Sequence, residues 1–371
     1  MTGVGPRADV PRWTLIEPRL GLGRGHYDEL LRAIIVGLDH HAGEIGVVAT
    51  QAATPLLRAW SSEFASLNAE PFEASSIRAE IAAIREGSSL TSERCLVATA
   101  NGRHAAMLSV LGGGRAQLTR ASLFFHWPLR RRMDRVLHTI ATRARAQCTA
   151  LAPTDAIADD LAHLGWRHVR RIDYPVIAPP PPTPTEFSHV LMAGALRFNK
   201  GLAVLAELVE RWSHRGAEIP LLLQASTKHA TRHGSREAPF LRRIKAADYP
   251  HVRAQAGGLD RNHYIANFRG AITLAAYEPA TFAGQVSGVA LDALMSGSPI
   301  VASEGTEPAE LVREFGVGVV VRFGEADSLD AAVTMIISRW HHYSPLAREA
   351  AAILARRHDP LRLALHQSAC C

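Results

Sequence analysis

The sequence predicts an α/β protein built of two doubly wound domains. Three observations carry that expectation. The chain has 371 residues, too many for one ordinary core and enough for two domains of roughly 150–200 residues each. Short apolar runs alternate with amphipathic segments, the pattern of a parallel sheet covered on both faces. Near the middle, the run Tyr174-Pro-Val-Ile-Ala-Pro-Pro-Pro-Pro-Thr-Pro-Thr185 excludes helix and central strand, and so predicts a stiff extended linker. The expected division is an N-terminal domain over 1–177, a linker over 178–188 and a C-terminal domain over 189–349. A C-terminal helix and tail over 350–371 would pack back on the first domain.

Downstream of the linker the pattern predicts strands at 189–196, 219–224, 251–255, 271–275, 299–302 and 317–321. Between them fall helices at 200–215, 239–247, 261–268, 288–295, 308–315 and 328–340. The first of these spaces Leu202, Leu205 and Leu208 for burial on one side. The first half alternates less cleanly, with strands expected at 13–17, 46–50, 94–98 and 121–125 and a helix at 26–38. Ligands of such sheets bind outside the carboxyl ends of the strands, so a cleft between two domains is the expected site.

Composition bounds the function. Hydrophobic residues make up 47% of the chain and charged ones 20%, which is globular composition. No apolar run approaches the roughly 18 residues of a spanning helix. The first eleven residues lack the apolar core of a secretory signal, so a cytoplasmic location is expected. Cys95, Cys148, Cys370 and Cys371 form no zinc-ligand spacing and read as reduced thiols. With 41 Lys and Arg against 35 Asp and Glu, the net charge is +6, which suits nucleic acid, anionic lipid or a nucleoside diphosphate.

Two C-terminal segments hold the candidate chemistry. In Gly194-Ala-Leu-Arg197-Phe-Asn-Lys200-Gly201, a strand end turns into a helix start with two cations beside it. A planar guanidinium and a compact ammonium together suit a diphosphate; the plainer alternative is two solvated cations on a loop. In Ser287-Gly288-Val289-Ala-Leu-Asp292-Ala-Leu-Met-Ser-Gly297-Ser-Pro299, Ser287 is a natural N-cap. Gly288 admits close approach to free backbone amides, and Asp292 lies a little over one turn on, within reach of a ribose hydroxyl. Asp292 could equally serve only to stabilise the helix's first turns.

These motifs, in this order and about ninety residues apart, resemble the donor domain of family-four glycosyltransferases. Glu307-Pro-Ala-Glu310-Leu-Val and Gly316-Val-Gly318 extend the match, which spans about 189–340 well and the first half loosely. The resemblance implies a GT-B fold, two Rossmann-like doubly wound domains facing a cleft, and transfer of a sugar from a nucleotide-sugar without a metal. It implies that Arg197 and Lys200 bind the donor diphosphate, that the main chain at Ser287, Gly288 and Val289 contacts the phosphates, and that Asp292 contacts the ribose. The acceptor would be a hydroxyl group on a glycan, a lipid-linked glycan or a small molecule, in polysaccharide or glycoconjugate synthesis. One departure stands out. Of the family's two glutamates separated by seven residues, the second falls on Asp292 and the first on Gly284, with Glu278 nearby in another register. A non-catalytic subunit of this fold, scaffolding a partner enzyme, and a sugar-nucleotide epimerase are the alternatives.

In the first half, Gly21-Leu-Gly23-Arg-Gly25-His26-Tyr27 follows the first strand. A dinucleotide fingerprint would need glycine where His26 stands and an acid after Val47-Val-Ala-Thr-Gln51, so hydride transfer is disfavoured. The family resemblance instead places Gly23 and Gly25 against the donor phosphates. His126, after the apolar Leu123-Phe-Phe, sits at a strand's carboxyl end. It could face the sugar or merely bond a loop carbonyl, and Asn101 and His104 are weaker candidates of the same type. His26 and His126 are the candidate bases. Residues 129–146 predict a basic amphipathic helix, with Leu129, Met133, Val136, Leu137, Ile140 and Ala144 on one face and Arg130, Arg131, Arg132, Arg135, Arg143 and Arg145 over the rest. Such a helix could lie on anionic lipid as a peripheral contact or pack its apolar side on the sheet. No aromatic residues interleave with the arginines, so nucleic acid is not an expected partner.

Overall fold

The structure is a computed structural model that describes residues 12–21, 25–39, 41–72, 84, 94–111, 114–129, 132–225, 227–256 and 259–363. Gly23, Arg130, Arg131, Cys370 and Cys371 lie outside the described part, as do the surroundings of Gly25 and the side chain of His26. The chain divides into two units, 1–177 with 358–371, and 178–357.

The first unit carries a parallel sheet of β1 (Arg12–Glu17), β2 (Glu44–Thr50), β3 (Leu67–Phe72), β4 (Arg94–Val97), β5 (Ala121–Phe124), β6 (Thr149–Ala152) and β7 (His168–Arg171). Their order is β3-β2-β1-β4-β5-β6-β7. Successive residues go to opposite faces, as the pleat requires. Leu15, Val47, Leu96 and Phe124 join one apolar cluster, while Ile16, Val48, Val97 and Phe125 join another. Near-continuous apolar strands in the sequence are therefore the mark of a sheet buried on both sides. Order reverses between β1 and β4, which makes their carboxyl ends the switch point where a ligand crevice forms.

The second unit repeats the scheme with β8 (His189–Met192), β9 (Leu221–Ala225), β10 (Val252–Ala256), β11 (Ala271–Ala275), β12 (Ile300–Ser303) and β13 (Gly318–Val321). Their order is β10-β9-β8-β11-β12-β13, and the switch point lies between β8 and β11. Leu202, Leu205 and Leu208 of the Leu202–His214 helix are all buried as the spacing predicts, around a fully enclosed Trp212.

Several expectations need correction. β8 ends at Met192 rather than Leu196, because Gly194 adopts φ +82° and turns the chain. The expected helix at 239–247 runs over Thr227–Ala246, with Pro239 inside it. Proline suits a first turn and so suggested a start, but Phe240, Leu241 and Ile244 pack on the core and hold the helix across it. The proline run, read as a stiff linker, is docked on the second unit. Pro182 lies against Gly297, and the Thr185 carbonyl accepts a 2.8 Å bond from Trp340 Nε1. Residues 350–357 continue the preceding helix, and the chain is helical again at 361–363. The Trp340–Arg357 helix belongs wholly to the second unit, and the chain rejoins the first at His358, whose Nδ1 meets the Tyr174 carbonyl at 2.8 Å.

The basic helix differs most. It breaks at Ala141 into Arg132–Ile140 and Thr142–Gln147. The side chain that the Arg132–Ile140 segment buries is His138. Its Nδ1 accepts from Trp166 Nε1 at 3.1 Å and its ring lies 5.6 Å from Phe125. Burial, with Arg145 adding to it, lowers the His138 pKa to about 4, so the ring is neutral. Seating His138 inward turns the apolar stripe out, leaving Met133 67%, Val136 48% and Ile140 54% exposed. Leu129 and Ala144 from the same predicted face are buried. Among the described residues no helix is long and apolar enough to cross a membrane.

Candidate functional site

The second unit's switch point gathers most of the C-terminal candidates. After β8, Gly194 donates its N–H to Gln224 Oε1 at the end of β9, 2.8 Å away. Arg197, Phe198, Asn199 and Lys200 then form a short 3-10 turn closed by Gly201 at φ +87°. A Cβ at Gly201 would meet the Ala276 carbonyl at 2.4 Å. Glycine is required there by both conformation and space. The turn is clamped to the chain leaving β11 by a 2.9 Å bond from the Glu278 N–H to the Asn199 carbonyl. On its other side Phe198 lies under the Arg236 guanidinium, 3.8 Å from the ring centre, and beside Phe240.

Lys200 Nζ stands 3.3 Å from where a Gly194 Cβ would be, and Val289 Cγ2 stands 3.5 Å from the same point. The ammonium and the first turn of the Gly288–Met295 helix therefore flank one glycine. Ser287 caps that helix through a 3.2 Å bond from the Ala290 N–H to its Oγ. A Cβ on Gly288 would meet nothing within 4 Å, so the helix start opens onto free space. Burial, with Arg197 adding repulsion, lowers the Lys200 pKa to about 8. An anion at this corner would relieve both causes. Tyr277, at the end of β11, is buried with its pKa pushed up to about 12, and the Ser287 hydroxyl lies beside its phenol.

Asp292 is 8% exposed and ion-paired. Arg261 NH1 and NH2 reach its two carboxylate oxygens at 3.0 and 2.7 Å. Burial raises the Asp292 pKa, while Arg261 and the Tyr264 hydroxyl work against that rise. The sequence reading missed Arg261 and Tyr264. Their only local signal is Asp260, which caps their helix through a 3.0 Å bond from the His263 N–H. Gly284 holds φ +64° between the short Pro279–Phe282 helix and the Ser287 cap.

In the first unit the switch point holds an acid the sequence reading did not single out. Glu17 ends β1 fully buried, accepting from Thr99 Oγ1 and, at 3.0 Å, from the Arg19 N–H. Burial raises its pKa to about 7. Arg19 NH1 donates to the Tyr27 hydroxyl at 2.8 Å, and the Gly21 N–H to Asp28 Oδ1 at 3.0 Å. Asn101 caps the Gly102–Leu111 helix, accepting from the Arg103 N–H at 2.9 Å. His104 is buried, and burial together with Arg19 and Arg103 lowers its pKa to about 3. His126 is 5% exposed in an aromatic nest, its ring 3.8 Å from Trp127 and about 6 Å from Phe124 and Tyr174. Among the described residues no group of three or more His, Cys, Asp or Glu side chains is placed to hold a metal.

With two units wound in the same strand order, the chain has the GT-B fold. It superposes on HepE of Anabaena in complex with UDP and glucose at a TM-score of 0.73 and 15% identity, over 97% of this chain and 98% of that one. Sucrose-phosphate synthase of Thermosynechococcus elongatus follows at 0.71 and 11%, over 97% and 98%. A glycosyltransferase of Rickettsia africae matches at 0.67 and 12%, over 97% of each chain. No protein-family model and no curated protein sequence matches the chain.

Proposed function

We propose that the protein is a glycosyltransferase that moves a sugar from a nucleotide-sugar donor to a hydroxyl acceptor. One observation carries the reading: Lys200 and the open start of the Gly288–Met295 helix flank Gly194 at the switch point of the second sheet. An ammonium, a nearby guanidinium and free helix amides make a receptor for a diphosphate. Negative charge grows on that diphosphate as the glycosidic bond breaks, so groups aimed there favour the transition state over the bound substrate. Arg197 and Lys200 take the part a metal ion plays elsewhere, and the reaction needs none. Asp292 faces the ribose. The same fold in HepE, crystallised with UDP and glucose, supports a nucleotide-sugar as donor.

The acceptor carries a hydroxyl on a glycan or lipid-linked glycan, in polysaccharide or glycoconjugate synthesis. Its setting is peripheral, on the inner face of the plasma membrane. What supports this is the outward stripe of Met133, Val136 and Ile140 beside exposed Arg132 and Arg135. His26 and His126 remain the bases to test.

The deciding experiment incubates the chain with UDP-, GDP-, ADP- and CMP-linked sugars and follows release of nucleotide with and without acceptor extracts. Acceptor-stimulated release that Lys200→Ala abolishes is the expected result. Gly284 in place of a glutamate favours a second reading, a non-catalytic subunit, and nucleotide binding without release from any donor would select it.

A further inference from the structure

The Arg261–Asp292 pair joins two helices that follow different strands of the second sheet, β10 and β11. Asp292 projects from the Gly288–Met295 helix; Arg261 opens the Arg261–Ala266 helix. An aspartate is too short to choose its own orientation across a crevice, and in a buried place it gains a proton unless it is paired. The guanidinium fork meets both oxygens, at 3.0 and 2.7 Å, and so fixes the plane of the carboxylate as well as its charge. The Tyr264 hydroxyl also favours the charged form of this group, with the Arg261 guanidinium 5.7 Å from the Tyr264 ring centre. A carboxylate offers about four lone-pair positions. Two go to Arg261, leaving room for a further donor.

We propose that Arg261 is a positioning residue for nucleotide recognition, holding Asp292 ionised and aimed so that it accepts a hydrogen bond from one ribose hydroxyl. The proposal rests on the donor-site reading above and adds the residue that sets its specificity for the sugar of the nucleotide. Lysine would keep the charge and lose the fork. Alanine would lose both.

The test uses the full chain and the one of UDP, GDP, ADP and CDP that stabilises it most against heat. Dissociation constants are measured for that diphosphate and for its 2′,3′-dideoxy, 2′-deoxy and 3′-deoxy forms. Wild type should bind the parent roughly tenfold or more tighter than the dideoxy form, the scale for one hydrogen bond to a charged group. One of the two monodeoxy forms should account for nearly all of that loss. Arg261→Ala and Arg261→Lys should both lose the discrimination while still binding the dideoxy form as wild type does, which also shows that they are folded. In Arg261→Ala the discrimination should climb again as pH is raised, because burial without its partner holds the Asp292 carboxyl up until it ionises. Tyr264, held well above its ordinary range by burial and by Asp292, stays protonated through neutral pH, as does Tyr277 next to it. Lys200 titrates near pH 8 but meets a diphosphate in every probe, so it cancels from the ratio. Both variants discriminating like wild type would overturn the proposal. A wild type that binds all four forms alike would overturn Asp292 as the ribose contact, and stabilisation by none of the diphosphates would overturn the donor site itself.

Discussion

Lys200 Nζ stands 5.3 Å from the centre of the Tyr277 ring, a cation held over an aromatic face that is itself buried at the end of β11. The ring attracts the charge, but the surroundings strip water from it, and Arg197 repels it. The balance leaves Lys200 half charged near pH 8. An incoming diphosphate tips it back to the charged form. At pH 8 nucleoside diphosphate binding should therefore take up about half a proton, seen as a buffer-dependent calorimetric heat. Affinity should weaken as pH rises above 8, where the free ammonium is lost. Lys200→Met should bind without proton uptake and with little pH dependence. Uptake that persists in that variant would place the titrating group elsewhere.

Turnover should respond to the same side chain. Lys200→Ala is expected to lower it by roughly two to three orders of magnitude, the scale for removing one group that stabilises developing charge. Binding of the bare nucleoside should hardly change. A folded Ala variant with near-normal turnover would put the donor site in the wrong place.

Two glycines beside the site should behave in opposite ways. Gly201→Ala forces a side chain into φ +87° and onto the Ala276 carbonyl, at a cost of roughly 1–3 kcal/mol from the backbone alone. Its melting temperature should fall clearly. Gly288→Ala meets open space and should keep the wild-type melting temperature, yet weaken diphosphate binding by crowding the helix amides. Undiminished binding by Gly288→Ala would mean the phosphates do not approach that helix.

Glu17 should make the first unit more stable in mild acid. Its folded pKa, about 7, lies above its unfolded value, so folding takes up a proton between roughly pH 4.5 and 7. That contribution is complete below pH 4.5 and is lost as pH rises through 7, a matter of a few kcal/mol at about 1.4 kcal/mol per pKa unit. Glu17→Gln keeps an acceptor for Thr99 and removes the charge. Its melting temperature relative to wild type should rise from pH 5 to about pH 7 and then level off. A constant offset would show that Glu17 does not titrate in this window.

Anionic vesicles should retain the protein at low salt through the Arg132–Ile140 helix. Val136→Asp with Ile140→Asp should abolish co-sedimentation, and Arg132→Glu with Arg135→Glu should make it weaker and less sensitive to salt. Sedimentation unaffected by either pair would remove the helix from consideration.

Local chemistry was legible in the sequence, and long-range partnership was not. The limits of β11 and of the Gly288–Met295 helix read correctly, because an apolar run, a serine cap and a following Gly-Ser-Pro are all local signals. Gly194 and Gly201 marked the turn. Nothing near residue 261 says that its guanidinium will meet a carboxylate 31 positions on. Glu17 likewise looks like any acid at a strand end until Thr99, 82 residues away, closes over it. Nothing local marks His138 for burial either, and only Trp166 and Phe125 reveal where it goes. Pro239 reads as a start because its effect on the backbone is local, while the packing that carries the helix past it is not.

The alternation of Leu15 and Ile16 into separate clusters on opposite faces of the first sheet has a consequence for how such a chain can drift. A layer enclosed on both sides asks each inward position only for a side chain of suitable bulk, and many residues satisfy that. Whole cores can thus be rewritten, which is how 15% identity coexists with a backbone match over 97% of the chain. Novelty is confined to the rim, where loops such as Gly194–Gly201 leave the strands. A new substrate preference can arise there without disturbing a single buried layer.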